Sequence, residues 1–167
     1  VTHVLKSDLH LDDGRVWKYA GTLGPYDLSS GNGTPDWRGN WQNTFAFGDK
    51  YTLSATAYYV GKIKSVAADQ RADMSCVTGN QYFPGTSQQQ QEIGQRFCNI
   101  NRFINVDVNG TAQVTDQVQV YANVANLFDA KAPVAPGAYS SAPNFLTSFH
   151  YAGLIGRAFK LGVRFQY

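Results

Sequence analysis

The chain has 167 residues, with 14 basic and 12 acidic side chains and a formal net charge of +2. This near-neutral balance lacks the strongly basic surface typical of nucleic-acid binding, so we expect no nucleic-acid partner. Charged residues make up only 16% of the chain, below the usual level of about a quarter, whereas aromatic residues reach 14%. Together with the abundant glycine and uncharged polar residues, this composition favours a β-rich protein.

No stretch of the sequence has the form of a membrane helix or a signal peptide. No apolar run approaches the roughly 18 residues of a transmembrane helix. The opening residues VTHVLKSDLH lack the basic and apolar regions of a signal peptide. We therefore expect that such a segment was removed or that the sequence begins within a longer protein.

Alternation of apolar and polar residues predicts six β-strands. In chain order they are a weak strand near 2–11 and stronger ones at 37–47, 51–64, 104–114, 117–128 and about 153–167. The strong strands are about 11–15 residues long, whereas strands of globular proteins most often have about 5–6. A tilted strand crosses a bilayer in about 9–11 residues, so each strong strand is long enough to span a membrane.

The connections between these strands are alternately short and long. Gly48-Asp49-Lys50 and Thr115-Asp116-Gln117 each form a tight hairpin turn between two strands. The segments 20–35, 66–100 and 129–151, which precede the other strands, are much longer. Short turns at one end and long loops at the other are typical of an outer-membrane β-barrel.

Aromatic residues gather at both ends of the predicted strands, as the two interfacial girdles of a membrane barrel require. Those at the short-turn end are Phe45, Phe47, Tyr51, Phe165 and Tyr167, and those toward the long loops are Trp37, Tyr59 and Phe128. We therefore predict an all-β fold, an antiparallel transmembrane β-barrel segment. The alternative is a soluble β-sandwich or a closed soluble barrel.

The final residues KLGVRFQY resemble the C-terminal assembly signal of bacterial outer-membrane proteins. The matching positions are Lys160, Gly162, Phe165 and Tyr167. The resemblance implies recognition by the barrel-assembly machinery and a true C-terminus at Tyr167. In a closed barrel the last strand pairs with the first, so an aromatic terminal residue need not fray.

Three further stretches resemble TonB-dependent outer-membrane receptors. The residues Asn126, Leu127, Phe128 and Asp129 resemble the NLFD element of the penultimate strand in that family. The ending YAGLIGRAFKLGVRFQY resembles the family's closing strand, and TPDWRGNWQNTFAFGDKYTLSATAYYVGK resembles an upstream strand pair. The resemblance covers about residues 34–167, in the order and at the spacing of the family.

This resemblance implies that residues 1–167 form the C-terminal part of the receptor barrel, about six strands of a roughly 22-stranded plugged barrel. The plug domain and the earlier strands would be absent. The implied function is import of a scarce ligand (an iron chelate, cobalamin or an oligosaccharide) with energy from the TonB complex. The alternative is a complete small eight-stranded outer-membrane barrel with a structural or adhesive role.

The implied partners and location follow from the same resemblance. The partners are outer-membrane lipid and lipopolysaccharide, the remainder of the receptor (plug and earlier strands), the TonB complex through the missing N-terminal part, and the barrel-assembly machinery. The location is the bacterial outer membrane, with the long loops extracellular and the C-terminus at the periplasmic rim. Arg157 is expected on the lipid side near the outer leaflet, where a lipopolysaccharide phosphate is a candidate partner.

The sequence shows no enzyme signature, and we expect no catalytic residues, metal or cofactor. Ligand contact in the family implies a set of external-loop candidates: Tyr26, Asp27, Tyr82, Phe83, Tyr139, Phe145, Phe149 and His150. The alternation places a second set in the barrel lumen: Arg38, Asn40, Gln42, Asn105, Asp107, Asn109 and Gln119.

Two cysteines, Cys76 and Cys98, lie in a polar segment without metal-ligand spacing. A disulfide between them is the preferred interpretation, and it implies an oxidising compartment. Free, inert thiols are the alternative.

Overall fold

The computed structural model describes residues 1–24, 33–65, 99–135 and 145–166. The described strands are β1 (Thr2–His3), β2 (Asp8–His10), β3 (Val16–Lys18), β4 (Trp37–Phe47), β5 (Tyr51–Val60), β6 (Ile63–Lys64), β7 (Asn99–Ile100), β8 (Phe103–Thr115), β9 (Val118–Ala125) and β10 (Ala158–Phe165). A helix, α1 (Thr147–Ile155), precedes the last strand.

Six of these strands form one antiparallel sheet in the order β1-β4-β5-β8-β9-β10. The predicted contiguous antiparallel run is therefore confirmed. The turn after Phe47 and the turn after Thr115 lie at one end of the sheet, and the long connections leave from the other. The predicted separation of short turns and long connections is thus present in the described part of the chain.

The cross-strand register gives the sheet two chemically different faces. On one face, Phe45 pairs with Leu53, and Val120 of β9 pairs with Val163 of β10. This apolar face exposes Trp37, Trp41, Phe45, Phe47, Tyr51, Leu53, Tyr59, Ile104, Val120, Phe159, Leu161, Val163 and Phe165. The opposite, polar face carries amides, hydroxyls and a few charges, and the two faces follow from the period of two along each strand.

Several strands differ in length from their sequence predictions. The weak strand near 2–11 is divided between β1, which joins the main sheet, and β2, which forms a hairpin with β3. The strand predicted at 51–64 leaves the sheet after Val60, and residues 63–64 pair instead with β7. The strand predicted at 117–128 ends at Ala125, because the next residue, Asn126, adopts a positive φ of 50°.

The largest difference is helix α1, where residues 153–155 were predicted to begin the last strand. The sequence offers little helix signal there: Leu146 provides no side-chain cap, and the first turn contains no acidic residue. The helix ends at Gly156, whose φ of 82° favours glycine. Tertiary packing stabilises it, since Leu146 and His150 are fully buried.

A small hydrophobic core, the loop core, lies at the long-connection end. It contains Leu23, Ile63, Ile100, Ala135 and Leu146, each at most 1% exposed, with Phe149 packed against it. Every member lies outside the five long strands of the sheet, β4, β5, β8, β9 and β10. The long connections of the described residues therefore pack on one another above the sheet.

Of the described residues, no helix combines the length and apolar character needed to cross a membrane.

Candidate functional site

A cavity of about 480 Å³ lies at the long-connection end, between the polar face and helix α1. The strands contribute Arg38, Asn40, Asn105 and Asp107, and α1 contributes Phe149. The strand residues reach the cavity because alternate positions of β4 and β8 point to the polar face. The wall thus offers one cation, one anion, amides and several aromatic rings, which suits a polar ligand with an apolar part.

Asn126 forms hydrogen bonds both to the cavity wall and to the long connections. Its backbone N–H donates to Asp107 Oδ1 at 2.8 Å, and its side-chain amide donates to the carbonyls of Ala130 (2.9 Å) and Ala152 (3.1 Å). Its Oδ1 accepts from the Ala130 N–H at 2.9 Å. A fully buried amide needs partners of this kind, and asparagine tolerates the positive φ better than most residues. Asn126 therefore fixes the β9 exit turn beneath α1.

Asp129 extends the same turn to the start of β10. Its Oδ1 accepts from the Arg157 N–H at 3.0 Å, and its Oδ2 accepts from Lys131 Nζ at 2.7 Å. The bond from Lys131, followed by the one from the Arg157 backbone, lowers the pKa of the Asp129 carboxyl. The carboxylate of the NLFD element thus has a local structural role, holding β10 beside the turn after β9.

His150 occupies the centre of the packed region behind the cavity. Its side chain is fully buried, and its ring lies 5.3 Å from the Phe103 ring, centroid to centroid. Neither ring nitrogen has a hydrogen-bond partner among the described residues. Burial lowers the pKa of His150 to about 4, so the imidazole is neutral at pH 7.

Comparisons with known proteins address the fold. No family model matches the sequence, and neither does any curated protein. A mutant of the ferric enterobactin receptor PfeA from Pseudomonas aeruginosa matches 97% of this chain, at a TM-score of 0.51 and 18% identity. This chain has the fold of a TonB-dependent receptor barrel segment. The match covers 21% of the PfeA chain, so the segment spans about a fifth of that receptor.

Two other solved structures are similar to this barrel segment. The siderophore receptor PiuA from Acinetobacter baumannii matches 96% of this chain and 17% of its own, at 16% identity and a TM-score of 0.48. The copper transporter OprC matches 92% of this chain and 20% of its own, at 18% identity and a TM-score of 0.42. PfeA, PiuA and OprC are receptors or transporters rather than enzymes.

All of the residues assigned to the lumen by sequence lie on the polar face of the barrel segment. Arg38, Asn40, Asn105 and Asp107 come together at the cavity. Asn109 and Gln119 lie in a second concavity, of about 440 Å³, nearer the short turns. Gln42 lines neither concavity and pairs with Thr56 of β5.

The loop candidates divide into two groups. Tyr26, Asp27, Tyr82, Phe83 and Tyr139 lie outside the described residues, as do Cys76 and Cys98, so the disulfide stays a prediction. Of the three described candidates, Phe149 lines the cavity and Phe145 is half-buried. His150 is enclosed in the packed region, so its ring would reach a ligand only if α1 moved.

The C-terminal signal residues lie on both faces of β10. Phe165 is exposed on the apolar face and Lys160 on the polar face, whereas Tyr167 lies outside the described residues. Gly162 lies directly beneath the ring of Tyr121, its cross-strand partner, and a Cβ there would overlap that ring. Tyr121 is not among the residues predicted from the sequence; its pairing with a strand glycine is the signal that could have identified it.

Arg157 lies at the long-connection end of β10. Its guanidinium carbon is 5.8 Å from the ring centroid of Phe159, which belongs to the apolar face, and Nη1 donates to the Leu127 carbonyl at 3.3 Å. Within the described ranges, no group of three His, Cys, Asp or Glu side chains could hold a metal ion.

Proposed function

We propose that this chain is the C-terminal barrel part of a TonB-dependent outer-membrane receptor that imports a scarce ligand. The observation that carries the proposal is the exposed apolar face, which continues across all five long strands. Soluble monomers rarely expose apolar patches beyond a few hundred Å². A lipid environment accounts for such a face on a sheet whose other face is polar.

The height of this face matches a bilayer. From Trp37 to Phe47 the strand rises about 33 Å, at about 3.3 Å per residue. A strand tilt of about 40° reduces this to about 25 Å along the membrane normal, the usual height of the apolar band. Aromatic residues lie near both limits, with Trp37 and Tyr59 at one end and Phe47 and Tyr51 at the other.

The edges of the sheet support a larger barrel over a small closed one. In the described chain, β4 has no partner strand along residues 40–47, and β10 has none on its side away from β9. Unpaired backbone groups cost several kcal/mol each in lipid, so both edges need further strands. We propose that the remainder of the receptor supplies these strands and a plug, and that the missing N-terminal part contacts the TonB complex.

The ligand side lies at the long-connection end. The cavity there combines Arg38, Asp107 and amides with Phe149, and helix α1 of the last long connection forms one side of it. PfeA is a ferric enterobactin receptor, which favours an iron chelate over cobalamin or an oligosaccharide. The long loops would then be extracellular, and the C-terminus would lie at the periplasmic rim after delivery by the barrel-assembly machinery.

Arg157 supports contact with the outer leaflet. Its guanidinium lies over Phe159, at the end of the apolar face where headgroups would lie. We propose a phosphate of lipopolysaccharide as its partner, because an arginine guanidinium binds phosphate through paired hydrogen bonds.

The membrane assignment is tested with two adjacent residues of β4 that face opposite sides. Trp41→Arg should destabilise the full-length protein by about 2–4 kcal/mol, the cost of a cation near the bilayer midplane. The matched control, Gln42→Arg, places the same cation on the polar face and should have little effect. Stability is measured in lipid vesicles by urea titration. The folded barrel is followed as the heat-modifiable band, the gel band that shifts when the sample is heated. If Trp41→Arg were neutral or increased solubility without detergent, the barrel proposal would be wrong.

Transport is tested in the source cell. A deletion of the full-length gene should abolish growth on one iron chelate as the sole iron source. Returning the gene to the cell should restore this growth only when the TonB complex is intact. Growth unchanged on iron chelates but lost on cobalamin or an oligosaccharide would reassign the ligand.

A further inference from the structure

The short-turn half of the polar face carries two cations without an acidic partner. Along β10 the residues on this face are Ala158, Lys160, Gly162 and Arg164, and across from them on β9 lie Asn123, Tyr121 and Gln119. Lys160 and Arg164 make no ion pair with any described residue. The acidic residue of the adjoining turn, Asp116, pairs with neither cation.

The other half of the polar face has a different charge balance. Asp107 lies there together with Arg38, and its carboxylate already accepts hydrogen bonds from the Asn126 N–H and from Asn105 Nδ2. On the five long strands, Asp107 is the one acidic residue whose register places it on this face. The described wall therefore leaves Lys160 and Arg164 unneutralised.

The cationic pair has a fixed spacing. The Cα atoms of residues 160 and 164 are about 13 Å apart at about 3.3 Å per residue. The Tyr121 ring covers Gly162 between them, and Asn109 and Gln119 complete the concavity of about 440 Å³. This surface offers two cations flanking an aromatic ring, with hydrogen-bonding amides beside them.

We propose that this surface, resting on the proposed receptor function, binds a plug segment that carries Asp or Glu side chains opposite Lys160 and Arg164. An enclosed lumen strengthens charge complementarity because water is partly excluded there. A polypeptide segment is favoured over a small anion, because both cations are exposed on an open wall that does not enclose an ion. The contact would hold the plug against the closing strand of the barrel.

The test uses the full-length receptor purified from outer membranes and a zero-length carbodiimide, which joins a lysine amine to a carboxylate in contact with it. Peptide mass spectrometry should find Lys160 linked to an Asp or Glu outside residues 1–167. Arg164→Lys should add a second link to the same or a neighbouring segment, and Lys160→Gln should remove the first. The matched control, Gln42→Lys, places an amine elsewhere on the polar face and should not link to that segment.

A second measurement, limited proteolysis, applies if the crosslinking variants assemble poorly. Lys160→Glu combined with Arg164→Glu should release the plug to limited proteolysis at least about fivefold faster than Lys160→Gln combined with Arg164→Gln. Repulsion would add to the lost attraction in the first pair. Equal rates would contradict the proposal.

The outcomes also separate this proposal from the receptor function. A heat-modifiable folded barrel in which Lys160 forms no link, or links only to Asp107 or Asp116, would overturn the acidic contact alone. A second outcome is folded protein in which no link forms but ligand binding falls when Lys160→Glu and Arg164→Glu are combined. That outcome would assign the surface to a bound anion, which also overturns the acidic contact. Loss of heat-modifiability in the unaltered protein would overturn both proposals.

Discussion

The sheet and the loop core are built on opposite principles. The sheet exposes most of its large apolar side chains, as at Trp41 (72%) and Leu161 (78%), whereas the loop core buries Leu23 and Leu146 completely. Backbone pairing holds the sheet together, and apolar burial holds the long connections together. One chain thus exposes apolar side chains along its strands, as a lipid-facing wall would, and buries them where its connections pack, within a few residues of each other.

The largest expected effect comes from removing a buried side chain of the loop core. Leu146→Ala should destabilise the packed connections by about 2–5 kcal/mol, because a cavity replaces a fully buried leucine. Hydrogen exchange should increase in residues 145–156 while the heat-modifiable barrel band persists. The matched control is Leu161→Ala on the apolar face, where lipid would fill the space in the proposed barrel. Equal effects of the two substitutions on the connections would contradict the division into two regions.

Acid should destabilise the packed connections that contain His150. The lowered pKa of His150, about 4 against a usual 6.5, means that the unfolded segment binds a proton more readily than the packed one. The stabilisation is therefore complete above about pH 6.5, declines as the pH falls, and is lost by about pH 4, for a total of up to about 3 kcal/mol. Hydrogen exchange of α1 measured between pH 7 and pH 4 checks this. His150→Phe should remove the dependence, and an unchanged pH profile in that variant would refute the assignment.

The junction of the two regions depends on Asn126. Asn126→Ala should cost about 2–3 kcal/mol, because the carbonyls of Ala130 and Ala152 lose their donor and alanine disfavours the positive φ. Proteolysis after residue 126 should increase. Asn123→Ala, a nearby asparagine within β9, serves as the control and should have a smaller effect. Similar proteolysis of the two variants would show that the turn does not depend on this amide.

The smallest expected effect lies within the sheet. Gly162→Ala should cost about 1 kcal/mol, near the lower limit for overpacking, because the Tyr121 ring over it must move. Tyr121→Ala combined with Gly162→Ala should recover part of this loss, and a double-mutant cycle on the heat-modifiable band measures the coupling. Additive effects would mean that the ring and the glycine are independent.

Most of the sheet could be predicted from the sequence. The strand at 37–47 has the predicted bounds, the short turns after Phe47 and Thr115 are present, and the lumen candidates all lie on one face. Period-two alternation determines these features, since the side-chain direction of a strand reverses at every residue. The same alternation was extended too far at 51–64, 117–128 and 153–167, because local pattern does not record where cross-strand pairing stops.

The arrangement of the long connections depends on packing between distant segments. Helix α1 has no caps and takes its stability from the burial of Leu146 and His150, so its sequence resembled the start of a strand. The cavity joins residues of β4 and β8 to α1, and the Asn126 hydrogen bonds span up to 26 positions in the chain. The sequence determined the strands and their two faces through a local period, whereas contacts between distant segments have no local signal and arise only on packing.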